Sequence, residues 1–271
     1  MRCLLLLLGA CGFSAHAAPD ASFPDLIDAP RHDADLGPDA SVIFDAAPTQ
    51  QFMLANSNNT LYAVDVDQGT ATALGTFGTY SVYALAGDAT TLLGIPSGEN
   101  VLLTIDPQTG AVQTSHPLAP KHDYYGFAHQ PATSTRASVW YAATDGAGEP
   151  DGNAPHLYAI DTTAGTTTSI GQLDNGLSIA GDLAWVEGKG LYGTFYGPNC
   201  MSETCIAKVN TSDASTTVIT TQGPTGALAL SGFRGQLWAL DTSGNVWSVD
   251  TTNGNATFAF STLVQWSDAA N

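Results

Sequence analysis

Between residues 50 and 271, apolar residues come in short runs separated by Gly, Asn, Asp, Ser and Thr, a pattern of strands joined by tight turns. One phrase recurs. LYAVDVDQGTATALG, Leu61 to Gly75, returns as LYAIDTTAGTTTSIG, Leu157 to Gly171, and in looser form from Leu102, Ile206 and Val246. In each copy the apolar run ends at an Asx residue: Asp65, Asp106, Asp161, Asn210 or Asp250. Four residues later stands Gly69, Gly110, Gly165, Ala214 or Gly254. This spacing predicts a hairpin in which the Asx side chain accepts the turn amides and Gly takes the left-handed conformation at a bulge. The Asx residues are therefore turn formers rather than catalytic groups or metal ligands. Ala214 predicts a different turn in the fourth copy.

Successive anchors lie 41, 55, 49 and 40 residues apart, room for four strands per repeat. Each interval supplies two further strands. One carries an apolar-Ala pair: Leu85-Ala86, Phe127-Ala128, Leu183-Ala184 or Leu228-Ala229. The next runs Thr91–Ile95, Ser138–Ala142, Gly190–Thr194 or Gln236–Leu240. The expected fold is all-β, a five-bladed β-propeller of four-stranded antiparallel blades, with small residues on the crowded inner strands. A count of six blades is the alternative. Only one strand, Gln51–Ala55, precedes the first phrase, so blade one lacks its inner strand. The C-terminal strand is expected to supply it and close the ring, with Val264, Gln265 and Trp266 standing where Leu183, Ala184 and Trp185 stand in blade four.

Through LYAID-TT-G and its four cousins, the repeats resemble the broad bacterial family of secreted β-propellers with quinoprotein-like, NHL and YVTN-type blades, over about four fifths of the chain. The resemblance implies blades, not an activity. Quinoprotein enzymes carry a Trp shortly after the Gly, where this chain has Thr72 and Thr167, a departure that argues against a quinone cofactor. The resemblance transfers no active-site residue.

Outside the repeats the text changes. Residues 1–17 read as a signal segment: an early Arg2, an apolar run from Cys3 to Ala10, and Leu8-Gly9-Ala10-Cys11, which resembles a lipobox with Cys11 as the lipidated residue. Cleavage after Ala17, following Ala15-His16-Ala17, is the rival reading. Residues 18–49 form an Asp-, Pro- and Ala-rich segment expected to be a solvated tether, since like charges repel and Pro denies the backbone both helix and ladder. Residues 50–271 are the propeller. Both readings send the chain out of the cytoplasm, either lipid-anchored at the outer membrane or cell surface, or secreted. A formal net charge of -18, with 7 basic against 25 acidic residues, excludes nucleic acid as a partner and leaves the lipid as the one membrane contact. A monomer is expected.

Cys200 and Cys205 lie in the connection between the second and third strands of blade four, and in an oxidising envelope they are expected to pair as a loop staple. Candidate chemistry gathers on one face of the ring, reached by the connections between second and third strands and between blades. Blade three contributes Lys121, His122, Asp123, Tyr124 and Tyr125, then Asp145, Glu149, Asp151 and His156; blade four contributes Tyr196. Long loops on a rigid scaffold suit binding of a protein, glycan or small ligand. Asp145, Glu149, Asp151 and Asn153 alternate in a Gly-rich loop and are weak calcium candidates, calcium being the one cofactor left open. The rival class is an enzyme, a lactonase-like hydrolase or a glycan-active lyase, using His122, Asp123, His129 or His156. Against it, His122 and Asp123 are adjacent and face apart on a strand, and the sequence shows no nucleophile or second acid. Asp182 stands at an inner-strand position occupied elsewhere by Ala84, Gly126 and Ala227. It is expected to face the channel or cap a turn, and with Asp123 it falls short of the carboxylates a propeller glycosidase needs. Tyr80, Tyr83, Tyr124 and Tyr125 are candidates for stacking on a sugar, weighed against core packing.

Overall fold

Each copy of the phrase folds as the outer hairpin of a four-stranded antiparallel sheet, and five such sheets form the ring. The computed structural model describes residues 51–270 except 88, 89, 147–153, 175, 199, 201–203 and 221–223. Cys11, the tether, Glu149, Asp151 and Asn153 lie outside the described residues. Blade one holds β1 (Met53–Ser57), β2 (Thr60–Asp65) and β3 (Thr70–Thr76). Blade two holds β4 (Val82–Gly87), β5 (Leu92–Pro96), β6 (Val101–Ile105) and β7 (Val112–Pro117). Blade three holds β8 (Tyr124–Gln130), β9 (Val139–Thr144), β10 (His156–Asp161) and β11 (Thr166–Gln172). Blade four holds β12 (Ser178–Val186), β13 (Gly190–Tyr196), β14 (Cys205–Val209) and β15 (Thr216–Thr220). Blade five holds β16 (Ala227–Ser231), β17 (Leu237–Asp241), β18 (Asn245–Val249) and β19 (Ala256–Ser261), and β20 (Asp268–Ala270) returns to blade one.

The strand that closes the ring lies slightly further along the chain than the Val264–Trp266 expected from sequence. β20 pairs with β1 through Leu54↔Ala270, Ala55↔Ala269 and Asn56↔Asp268. Its counterpart of Asp182-Leu183-Ala184 is thus Asp268-Ala269-Ala270, not Val264 to Trp266. Trp266 does other work than Trp185: it is buried before the strand begins, edge-on to Tyr62 at 5.5 Å, in the cluster that joins blades five and one.

The apolar core is divided among the five gaps between blades. Leu61, Leu85 and Leu103 fill the first gap, Phe127, Trp140 and Ile95 the second, and Phe195, Leu183 and Leu157 the third. Ile206, Leu230 and Leu237 fill the fourth, and Met53, Phe233 and Trp266 the fifth. A blade's middle strands are covered on both sides, so β5 is buried throughout while outermost β7 is almost wholly exposed. Each such Leu or Phe contributes roughly 1.5–3 kcal/mol through burial.

The turns have the predicted chemistry. Asp65 Oδ1 accepts the amides of Asp67 and Gln68 at 2.9 and 3.0 Å, and Asp161 Oδ1 accepts those of Thr163 and Ala164, both at 2.9 Å. Gly69, Gly110, Gly165 and Gly254 sit at φ of 66°, 69°, 65° and 70°. Ala214, expected to change its turn, keeps the same one. It adopts φ 62°, and its amide donates to Asn210 O at 2.9 Å as Gly165 does to Asp161 O. Its methyl is fully buried against Gly171 of blade three, so packing offsets the unfavourable left-handed backbone.

These turns also dock the blades. A methyl on Gly165 would meet Pro117 O of blade two at 2.4 Å, and one on Gly254 would meet Thr220 Cβ of blade four at 2.4 Å. A methyl on Gly75 would meet Thr109 O of blade two at 1.9 Å. The turn residues Gly110, Gly165 and Gly254 therefore serve twice, turning one hairpin and admitting the backbone of the preceding blade.

Candidate functional site

Inner strands β4, β8, β12, β16 and β20 surround the axis without pairing to one another, so their inward backbone groups need other partners. Two fully buried carboxylates supply acceptors. The amides of Leu183, Leu230 and Ala269 donate to Asp182 at 2.6, 3.0 and 3.3 Å, and those of Ala269 and Leu85 donate to Asp268, the former at 2.9 Å. Asp182 and Asp268 also hydrogen-bond each other, joining four of the five inner strands. Burial pushes the Asp182 carboxyl up to about 7, against the hydrogen bond from Asp268 and the backbone amides, which pull it down. Burial and the neighbouring Asp182 charge raise Asp268 further above the ordinary carboxylate range. Both shifts favour the protonated forms, as suits two buried carboxyls that hydrogen-bond each other. Asp182 is thus not solitary, as sequence suggested, and does not open on a channel. The partner is not legible in sequence, where Val264 to Trp266 match the inner strand of blade four and Asp268 lies beyond them.

The axis is almost closed at one end, where the space beside Leu85, Phe127 and Trp185 amounts to about 10 Å³. At the other end it widens into a cavity of about 300 Å³. All five blades contribute to this axial pocket. Tyr83 and Tyr125 stand at the starts of β4 and β8, Gly181 and Leu228 lie on β12 and β16, and Asn58 and Thr242 come from turns. Gln265, Trp266 and Ser267 lead into β20. Gly181 is required there, since a side chain on it would meet Leu228 O at 2.1 Å. The described lining has aromatic rings, amides and hydroxyls, with no carboxylate, imidazole, Lys or Arg. Asp182 and Asp268 follow the pocket residues Gly181 and Ser267 directly in the chain, so the carboxyl pair lies next to the pocket lining.

A smaller compartment of about 130 Å³ adjoins it between blades two and three, sharing Tyr83 and Tyr125 and adding Glu99, His122, Asp123 and Tyr124. Burial raises the Tyr125 hydroxyl pKa, reinforced by the negative charges of Asp145 and Asp123 and by Tyr83. Tyr83 is 42% exposed.

The structure divides the sequence-predicted residues. Alternation along β8 sends Tyr125 toward the axis and Tyr124 into the packing of blade three, where its hydroxyl donates to Thr167 Oγ1 at 3.3 Å. His122 is buried, with its ring 4.7 Å from that of Tyr158. His156 packs on the same tyrosine at 6.0 Å, and its Nδ1 lies 2.9 Å from Ala154 O. His129 stacks on Trp140 at 4.0 Å toward the nearly closed end of the axis, the opposite end of β8 from His122. Lys121 is exposed, and Asp145 and Asp123 are partly buried. Tyr196 is exposed at the end of β13 but is not part of the axial lining. Cys200 and Cys205 are bonded, with an S–S distance of 2.11 Å. Among the described residues no group of three or more His, Cys, Asp or Glu is placed to hold a metal.

No family model matches the sequence, and no curated protein matches it. Among solved structures the chain is similar to a protein of unknown function from Bacteroides caccae, with TM-score 0.43 and 8% identity over 77% of this chain and 72% of that one. It is also similar to the computationally designed Ika8 protein, with TM-score 0.35 and 12% identity over 75% of this chain and 59% of the designed one. The functional reading rests on the residues of the site itself.

Several pocket residues escaped sequence reading. Asn58, Thr242, Gln265 and Ser267 are ordinary turn residues whose convergence depends on closure of the ring. Tyr83 was visible only as one of several tyrosines.

Proposed function

We propose that this protein is an extracytoplasmic binding propeller, displayed on an acidic tether and lipid-anchored through Cys11, that captures a small hydroxylated ligand, such as the end of a glycan, in its axial pocket. The observation that carries this reading is the axial cavity, with two tyrosine rings and a surround of amides and hydroxyls. Aromatic faces stack on the C–H faces of a sugar ring while Asn58, Gln265, Thr242 and Ser267 are suited to hydrogen-bond its hydroxyls. The absence of Lys and Arg from the described lining disfavours an anionic ligand. The likeness of the blades to secreted NHL- and YVTN-type propellers agrees with display outside the cytoplasm.

A glycan and small-molecule screen on the purified chain, with and without a chelator, tests the proposal. A ligand is expected whose affinity falls at least about tenfold in Tyr125→Ala, equivalent to about 1.4 kcal/mol. Binding that is indifferent to both Tyr125→Ala and Tyr83→Ala would place the ligand elsewhere. The chelator arm shows whether the loop holding Asp145, Glu149, Asp151 and Asn153 requires calcium. For the anchor, Cys11→Ala is expected to move the protein from the membrane to the soluble fraction; unchanged fractionation would exclude lipidation at Cys11.

A further inference from the structure

The two adjoining cavities share the Tyr83 and Tyr125 wall but differ in charge. The axial pocket has a neutral described lining, whereas the side compartment carries two carboxylates, Glu99 and Asp123. No Lys or Arg lines either compartment among the described residues, and Arg234 pairs with Asp67 at 2.8 Å at the joint between blades five and one. The shared tyrosines belong to β4 and β8, while Glu99 comes from the turn after β5 and Asp123 immediately precedes β8. Aromatic faces combined with carboxylates attract an organic cation twice over, through the ring quadrupole and through Coulomb attraction, and they repel an anion. The chain's formal net charge of -18 adds a field of the same sign.

We infer that the side compartment between blades two and three is a subsite for an alkylammonium group carried by the ligand of the axial pocket. This inference rests on the axial-pocket reading and specifies its ligand as a hydroxylated body bearing one positive nitrogen. At about 130 Å³, the compartment has room for a primary or quaternary ammonium but not for the body that carries it. Asp123 precedes β8 and is partly buried, while Glu99 lies on an exposed turn, so Asp123 is the stronger anchor. Tyr125 positions the group by its ring face and does not need to titrate.

The test uses choline and its uncharged isostere 3,3-dimethylbutan-1-ol, titrated calorimetrically into the full chain. Choline is expected to bind at least about tenfold more tightly than the isostere, and to weaken as added salt shortens the screening length. Asp123→Asn is expected to reduce choline affinity by about tenfold and Glu99→Gln by less, with neither change altering the thermal melt or the affinity for a neutral saccharide ligand. Equal affinity for choline and isostere would overturn the inference, as would choline binding unaffected by both substitutions. The outcomes separate the two readings. If choline does not bind but a neutral saccharide does and is lost in Tyr125→Ala, the axial pocket stands and the cationic subsite falls; if neither binds there, both fall.

Discussion

Removal of residues 268–271 is expected to abolish cooperative folding of the propeller. The deletion takes away β20, its ladder with β1, and the bond from Ser231 Oγ to Ala270 O at 2.9 Å that ties blade five to the closing strand. It also removes Asp268 and exposes the inner edge of β1, an unpaired edge prone to intermolecular pairing. In a ring every gap between blades depends on both neighbours, so opening one gap exposes the cluster around Met53, Phe233 and Trp266. The expected loss is comparable to the whole stability of such a domain, about 5–15 kcal/mol. The truncated chain should collect in the insoluble fraction or lack a sigmoidal thermal transition by circular dichroism. A soluble truncation that melts cooperatively near the parent temperature would show that the ring does not need its C-terminal strand.

The second large effect belongs to the axial carboxyl pair. Asp268→Ala leaves the Leu85 amide without its acceptor and the Asp182 carboxyl without its hydrogen-bond donor, and is expected to cost about 3–5 kcal/mol. For a domain of this size that is a fall in Tm of roughly 10 °C. Asp268→Asn keeps a donor toward Asp182 and should cost less. The sign of the pH dependence follows from the raised pKa values of both groups. The folded ring holds protons that the unfolded chain, with carboxyls near about 4, releases first. This stabilisation is therefore full below about pH 4 and declines as pH rises, at roughly 1.4 kcal/mol per pH unit for each proton. The Asp182 share is spent once pH has passed about 7. Exposed Asp213, whose pKa is lowered by its hydrogen bonds from Ser215, acts in the opposite sense and loses its contribution only as the solution becomes strongly acid. Maximum Tm is thus expected at mildly acidic pH, with a decline toward pH 8 that is flattened in Asp268→Asn. A Tm that is level from pH 5 to 8, or an Asp268→Ala protein melting with the parent, would contradict this account of the axis.

Much of the architecture was written locally. An apolar run, an Asx acceptor and a left-handed Gly at fixed spacing specify a hairpin through contacts within a few residues, and five such hairpins at near-regular intervals specify five blades. The missing inner strand of blade one likewise pointed to closure from the C-terminus. The register of that closure was less legible. Trp185 and Trp266 are alike in identity but not in environment: one is near the end of β12 and the other packs between blades before β20 begins. Ala214 keeps the common turn against its local propensity because the packing of its methyl against Gly171 is not local.

By itself, then, the sequence determined the fold class, the blade repeat and the turn chemistry. Only the tertiary structure decided that Asp182 and Asp268, 86 residues apart, hydrogen-bond each other, and that Tyr83 and Tyr125 wall one cavity with Asn58, Gln265 and Ser267. The reason is geometric. A hairpin is set by neighbours along the chain, but the axis of a ring is made from the one edge of every blade that has no partner in its own sheet, and its contents exist only once the last strand has closed the circle.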